Sequence, residues 1–250
     1  PVQRYIFEKE CAVAGAPRLP GFGLKLLAFV LHTFGTPKQQ QYYLPRILTG
    51  EHFWCQGFSE SQAGSDLANL RTRAVRDGDR YIINGSKLWT TQAHHADHIF
   101  CLVRTDPTVA PQRGISFILI DLRAPGVEVR PVLGMAGDHE VNAVFLDNVA
   151  VPASDLVGEE GQGWTIAKSL LENERGGSCN APLLLADIAN IRVRASQRPL
   201  GDGRTLLEDP VFAKEIGRAE LEALALETTE LRILDDIARG RNVGPQTSLV

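Results

Sequence analysis

Two short runs concentrate the residue types that could hold a flat, redox-active ring with a phosphate tail. One is Gly57-Phe58-Ser59-Glu60-Ser61-Gln62-Ala63-Gly64-Ser65-Asp66, and the other is Lys87-Leu88-Trp89-Thr90-Thr91. The first is a small-residue turn rich in hydroxyls and backbone donors, which suit anionic or polar edges. The second ends in an indole beside two hydroxyls, and an indole covers a ring face. Glycine in the turn lets backbone approach a ligand closely. Taken singly, the turn also reads as an ordinary surface turn and Trp89 as a strand aromatic filling the core.

A third candidate is Glu174. It lies three, four and seven positions after Leu171, Leu170 and Ala167, on or beside the apolar face of a helix. A carboxylate held there is expected to be partly desolvated, which raises its pKa toward the range useful for a general base. The plainer reading is a carboxylate that pairs with Arg175 or a neighbour at a helix end. His94, His95 and His98 could be drawn as a metal cluster. Adjacent histidines point in different directions, however, and no Cys or acidic ligand motif accompanies them, so no metal site is expected.

These residues need a scaffold, and 250 residues suffice for one large or two modest domains. Hydrophobic residues make up 44% and charged residues 22%, the balance of a soluble globular protein. A net charge of −4 gives no reason to expect a nucleic-acid or anionic-membrane partner. Leu24 to Phe34 is the most apolar segment, but Lys25 and His32 interrupt it, so it reads as a core helix and not a membrane span. Cys11, Cys55, Cys101 and Cys179 stand apart from one another, without metal-ligand spacing or a disulfide framework. A bacterial cytoplasm or a mitochondrial matrix is the expected compartment. The chain starts at Pro1 and stops at Val250 without a helix-ending signal, which reads as a cut at both ends.

Hydrophobic period divides the chain into three expected domains: a partial helical domain over 1–52, a middle β-domain over 53–152 and a partial helical domain over 153–250. Leu24, Leu27, Ala28, Leu31 and Phe34 recur at helical spacing up to Gly35, and Thr36-Pro37 then opens a second helix toward Leu48. Strands are predicted over 70–75 and 81–83, flanking the turn Asp77-Gly78-Asp79, and over 99–104, 114–121, 127–132 and 141–146. About six short strands in that span indicate a barrel or sandwich. Helices are predicted over 163–175 and, behind an Asp209 cap and Pro210, over 210–238. In the latter, Phe212, Ile216, Ala219, Leu224, Leu231 and Leu234 are among the apolar positions.

Together these motifs resemble the acyl-CoA dehydrogenase flavoprotein family. The resemblance runs from Gly35-Thr36, Leu44-Pro45 and Gly50-Glu51, through the two ring-binding runs, to Val151-Pro152 and Gly158-Glu159-Glu160-Gly161-Gln162-Gly163, and weakens beyond Arg175. It implies an α+β multidomain fold of helical bundle, β-barrel and helical bundle, with both helical parts incomplete. It also implies FAD as cofactor. Phe58, Ser59, Gly64 and Ser65 match the family's flavin loop, and Trp89, Thr90 and Thr91 its second flavin contact, with Thr91 offering its hydroxyl or N–H to flavin N5. Ser65, Glu172 and Arg175 match substrate-side positions, although Glu172 reads equally well as part of a solvated helix face. The family usually has Pro-Gly where this chain has Ser61-Gln62, so the loop loses one fixed φ and is expected to be less preorganised. Family members carry the catalytic Glu at one of two places. Glu174-Arg175 matches the first, and the second would fall beyond Val250.

The activity so implied is α,β-dehydrogenation of an acyl-CoA thioester to the trans-2-enoyl-CoA, with electrons passed to an electron-transfer flavoprotein. A homo- or hetero-oligomer, dimer or tetramer, is the implied assembly. Glu172 to Gly177 and Trp89-Thr90-Thr91 resemble the large subunits of pimeloyl-CoA-dehydrogenase-like enzymes, which suggests a dicarboxylyl- or bulky acyl-CoA. Two alternatives remain open: a flavin-dependent oxidase or monooxygenase on the same scaffold, and a non-catalytic subunit of a mixed oligomer.

Overall fold

A computed structural model describes residues 2–17, 19, 21–175, 180–241, 243 and 247, with the side chain of Arg175 outside the description. Helices α1 (Val2–Val13), α2 (Ala28–Phe34) and α3 (Pro37–Thr49) precede the sheet. Strands β1 (Trp54–Gly57), β2 (Arg73–Asp77), β3 (Arg80–Thr91), β4 (His98–Arg104), β5 (Ile115–Asp121), β6 (Val127–Val132), β7 (Val141–Pro152) and β8 (Leu156–Val157) follow. Helices α4 (Gly163–Arg175), α5 (Ala181–Ser196) and α6 (Pro210–Ala238) complete the described chain. The order of helices, strands and helices is the one expected. The molecule divides into two compact units, one of residues 20–172 and the other of 1–19 with 173–250.

Local chemistry explains the element ends in the first unit. Thr36 and Gln39 form a reciprocal capping box at the start of α3, with Pro37 beside it, and Gly50 closes the helix at φ +74°. Residues 22–27 are wound as a π-helix that runs into α2, so the helix expected from Leu24 opens in π-winding. Such turns are rare and recur at functional sites.

All eight strands join one sheet in the order β6-β7-β3-β2-β4-β5-β8, with β1 pairing parallel to β4. The hairpin between β2 and β3 turns through Gly78 and Asp79, with Gly78 at φ +63°. Period-two alternation sends β4 and β5 side chains into two cores. Ile99, Cys101, Ile118 and Ile120 share one with Val144 and Leu146 of β7, which is not a neighbour of either strand in the order. The sheet therefore curls over that core in the manner of a barrel. Phe100, Leu102, Phe117 and Leu119 face the other side, where Leu27, Val30 and Leu31 and, from α4, Ile166 and Leu170 cover them.

In the second unit, Asp209 caps α6 by accepting from the N–H groups of Val211 and Phe212. Helix α5 has no side-chain cap of its own. Buried Glu230 on α6 instead accepts from the N–H groups of Asn180 and Ala181 at 2.7 and 3.2 Å. Of the apolar positions expected on α6, Ile216 and Leu234 are buried, whereas Leu224 and Leu231 are exposed. Among the described residues, no helix is long and apolar enough to cross a membrane. Cys11, Cys55 and Cys101 are free thiols, and Cys179 lies outside the described residues.

Candidate functional site

The turn that follows β1 is held from beneath by a buried ion pair. Lys87 Nζ lies 2.8 Å from Glu60 Oε1, and both side chains are almost wholly removed from solvent. The same ammonium donates to the carbonyls of Phe58 (3.3 Å) and Leu102 (2.7 Å). Glu60 also accepts from the backbone N–H groups of Arg71 and Thr72 and from the Gln62 amide. Burial by itself would raise the Glu60 carboxyl. The Lys87 charge and these donors overcome it and bring the pKa down to about 2. The Leu88 N–H donates to the Ser59 carbonyl at 2.9 Å, so two successive loop carbonyls are fixed. Reciprocal backbone bonds between Glu60 and Ala63 close the turn. Hydrogen bonds thus supply the order that Ser61-Gln62, in place of Pro-Gly, was expected to cost.

The edge of β3 carries an irregularity at the same level. Lys87 pairs with Val144 and Thr90 with Asn142, so three steps on β3 face two on β7. That is a β-bulge, and Trp89 within it adopts φ +60°. A bulky residue in the left-handed region is an outlier that clusters at ligand sites. The indole is 60% exposed, which excludes the core-filling reading of Trp89. Beyond the bulge, the Gln92 N–H donates to the Glu140 carbonyl. By ladder alternation, Thr91 opposite Val141 is then a non-bonded pair, and its N–H points away from β7.

Loop and bulge meet in one cavity of about 300 Å³ lined by Ser59, Gly64, Trp89 and Thr91, with Phe58, Gln56, Leu88, Phe22, Leu67 and Leu171 completing the wall. A Cβ placed on Gly64 would meet no atom within 4 Å, so the backbone there is open to a ligand. Phe58 contributes mainly to the core, edge-on to Phe100 and Phe117. Thr90 is buried behind the wall, and its hydroxyl has no partner among the described residues. Ser65 is exposed and does not line the cavity.

On α4, Leu171 reaches the cavity wall while Glu172 is exposed. Glu174, in the part of the chain from Asn173 onward that belongs to the other unit, is also exposed, so the desolvation expected of it is not supplied by the described residues. Solvent reaches this last turn because α4 buries its apolar side through Ile166, Ala167 and Leu170, further back along the helix. The Arg175 side chain lies outside the described residues.

The histidines separate into two groups. His98 stacks on Trp54 at 4.7 Å beside His52, and burial lowers its pKa to about 4. His94 stacks on His139 instead, at 3.9 Å. Among the described residues, no group of three or more His, Cys, Asp or Glu side chains is arranged to hold a metal. Sequence reasoning missed Glu60 and Lys87. The available signal was that Lys87 shares the inward parity of Tyr81 and Ile83 on β3.

The family model for the acyl-CoA dehydrogenase middle domain matches residues 55–149, a span that takes in the loop and the bulge together. The chain belongs to the acyl-CoA dehydrogenase family. It is 38% identical to the acyl-CoA dehydrogenase IpdE1 of Mycobacterium tuberculosis over 93% of its own length and 60% of that protein. Among solved structures, the ChsE4-ChsE5 complex from Mycobacterium tuberculosis matches with TM-score 0.84 and 33% identity, over 98% of this chain and 63% of that one. The Tcur3481-Tcur3483 steroid ACAD matches with TM-score 0.83 and 31% identity, over 97% of this chain and 62% of that one. The chain thus spans about three fifths of the length of these relatives.

Proposed function

We propose that this chain forms the flavin-binding part of an enzyme that dehydrogenates an acyl-CoA thioester across its α and β carbons to give the trans-2-enoyl-CoA. FAD, when bound, supplies a two-electron acceptor for the β-hydrogen leaving as hydride. The observation that carries this reading is the joint lining of one cavity by the loop residues Ser59 and Gly64 and the bulge residues Trp89 and Thr91. An open glycine and an exposed indole in a left-handed conformation fit a flat ring with polar edges. Trp89 would cover a ring face, and Ser59 and Thr91 would donate to its edge. The Thr91 N–H is suited to that task because it is turned away from β7. Gly64 would let the backbone approach the phosphate tail, with Ser65 beside it.

The Glu174 carboxylate would remove the α-proton, with Glu172 and Arg175 on the substrate side. Since Glu174 is exposed here, the reading requires that the bound acyl-CoA excludes water from it, which raises its basicity. Electrons would pass on to an electron-transfer flavoprotein. The similarity to a steroid ACAD favours a bulky, polycyclic acyl-CoA as substrate, and the two-component relatives favour assembly with a second, different subunit.

Anaerobic titration of the FAD-loaded protein with a panel of acyl-CoA thioesters tests the reading. The expected result is bleaching of the flavin by a bulky acyl-CoA and not by the corresponding free acid. Bleaching by a nitroalkane, or oxygen-dependent hydroxylation without CoA, would replace it with an oxidase or monooxygenase.

A further inference from the structure

A chain of hydrogen bonds behind Thr90 links the candidate flavin strand to two histidines. Asn142 is fully buried, and its amide nitrogen donates to the Thr90 carbonyl at 3.1 Å. The same nitrogen lies 3.0 Å from His94 Nδ1, and the amide oxygen lies 2.7 Å from His139 Nε2. Because a carbonyl only accepts, Thr90 fixes which end of the Asn142 amide faces it. The rest follows in order. His94 Nδ1 must accept from the Asn142 amide nitrogen and so carries no proton, whereas His139 Nε2 must donate to the amide oxygen. His94 has to be neutral for this arrangement to exist, and His139 satisfies it in either charge state.

We infer that Asn142 and His94 are positioning residues that hold the Thr90–Thr91 peptide in its ligand-ready orientation, and that a proton on His94 releases it. A proton arriving at His94 Nδ1 sets two donors against each other. If the Asn142 amide turns over to relieve this, its oxygen meets the Thr90 carbonyl, and two acceptors then face each other without a proton. Either outcome removes the side-chain bond to the Thr90 carbonyl and leaves it only the ladder bond from the Asn142 backbone N–H. That carbonyl and the Thr91 N–H are opposite edges of one rigid peptide plane, so a tilt of the carbonyl about its remaining ladder bond tilts the N–H at the cavity wall.

The surroundings oppose that proton. His95 on the same turn and His139 ahead of β7 are the titratable groups that act on His94. Partial burial is the largest influence and, with the charges of these two, lowers the His94 pKa below its ordinary value of 6.5. The arrangement is therefore intact at neutral pH and is lost as pH falls through a midpoint below 6.5.

The inference deepens the flavin-site reading of Thr91 and rests on it for its functional meaning, but the structural switch is testable without flavin. In the flavin-free 250-residue chain, the nitrogen shift of the Thr91 amide and the Asn142 side-chain amide should titrate with the His94 ring at one shared midpoint. His94→Gln supplies a carbonyl acceptor that does not titrate, so both signals should stay flat. Unchanged Thr91 and Asn142 signals through the His94 titration would overturn the inference. With FAD, the dissociation constant should weaken about tenfold between about pH 7.5 and about pH 5 in the wild type and stay within about twofold in His94→Gln. An equal pH dependence in the two proteins would also overturn it. Failure of the wild type to bind FAD at any pH would defeat the flavin reading instead, and the amide titration would still decide the switch by itself.

Discussion

The loop over 57–66 and the last turn of α4 each contribute a glutamate, and the two are treated in opposite ways. Glu60 is buried, ion-paired and hydrogen-bonded to two backbone N–H groups and a side-chain amide. Glu174 is exposed. The loop that we assign to the cofactor brings its own internal scaffold, so its geometry is set before any ligand arrives. The carboxylate that we assign to proton removal has no such enclosure among the described residues and must gain it from what binds. Preorganisation, on this comparison, has been invested in the cofactor side.

The largest effect should come from the exposed member. Glu174→Gln keeps size and hydrogen-bonding shape but removes the proton acceptor. It should slow flavin reduction by about 10²–10⁴-fold in rapid mixing with a good acyl-CoA, while FAD affinity and melting temperature hold. Near-normal reduction would remove Glu174 from the chemistry and leave only one functional glutamate to compare.

The buried member should act on folding instead. Lys87→Met leaves the Glu60 charge without its partner and should cost about 3–5 kcal/mol in denaturant unfolding. The double variant Glu60→Leu with Lys87→Met should recover most of that loss, since a buried pair is often replaceable by apolar groups. If the double variant regains stability but still binds FAD poorly, the pair serves loop geometry beyond mere stability. If flavin affinity returns with stability, its role is structural only.

Acid should expose the same asymmetry. The Glu60 pKa is depressed from 4.5 to about 2, so its contribution is complete above the unfolded value and is lost as pH falls toward about 2. The loss should be on the order of 3 kcal/mol, and Glu60→Gln should remove that part of the slope in a pH series of unfolding curves. An unchanged acid profile in Glu60→Gln would mean that other carboxylates govern acid unfolding. The smallest effect belongs to Trp89→Ala, which should weaken FAD retention by about 1 kcal/mol, read by ultrafiltration of the yellow protein, with little change in stability because the indole is exposed.

The elements legible in the sequence were those with long periodic patterns and explicit ends. Thr36-Pro37 and Asp209-Pro210 marked two helix starts, and the alternating Val, Ile and Phe of β4 and β5 marked strands. Helix α5 went unread because its N-terminal cap comes from Glu230, on another helix, and not from a neighbouring residue. Strand β1 went unread because Trp54-Cys55-Gln56-Gly57 is too short to show alternation and pairs parallel with distant β4. The π-winding of 22–27 leaves the apolar content of a helix intact, so periodicity could not distinguish it. Within the site, ring-binding residue types were visible as motifs. Lys87, Glu60 and Asn142 were not, because a polar residue becomes informative only once its burial and partners are known.

The bulge at Trp89 also gives β3 two reading frames. Up to Lys87 the odd-numbered positions Tyr81, Ile83 and Lys87 face inward, whereas beyond the bulge the even-numbered Thr90 faces inward and the odd-numbered Trp89 and Thr91 face the cavity. The strand therefore has a point at which inside and outside exchange parity, and the meaning of each downstream residue depends on the count of residues across it. Lengthening the hairpin at Gly78 would leave that count untouched. Removing Leu88 would leave Lys87 and Thr90 two steps apart and both still inward, so the bulge and its left-handed Trp89 would be lost while the facing of the residues that follow stayed the same. The extra residue is what lets an odd number of steps join two inward anchors, and the ligand-facing alphabet of β3 is defined by position relative to the bulge.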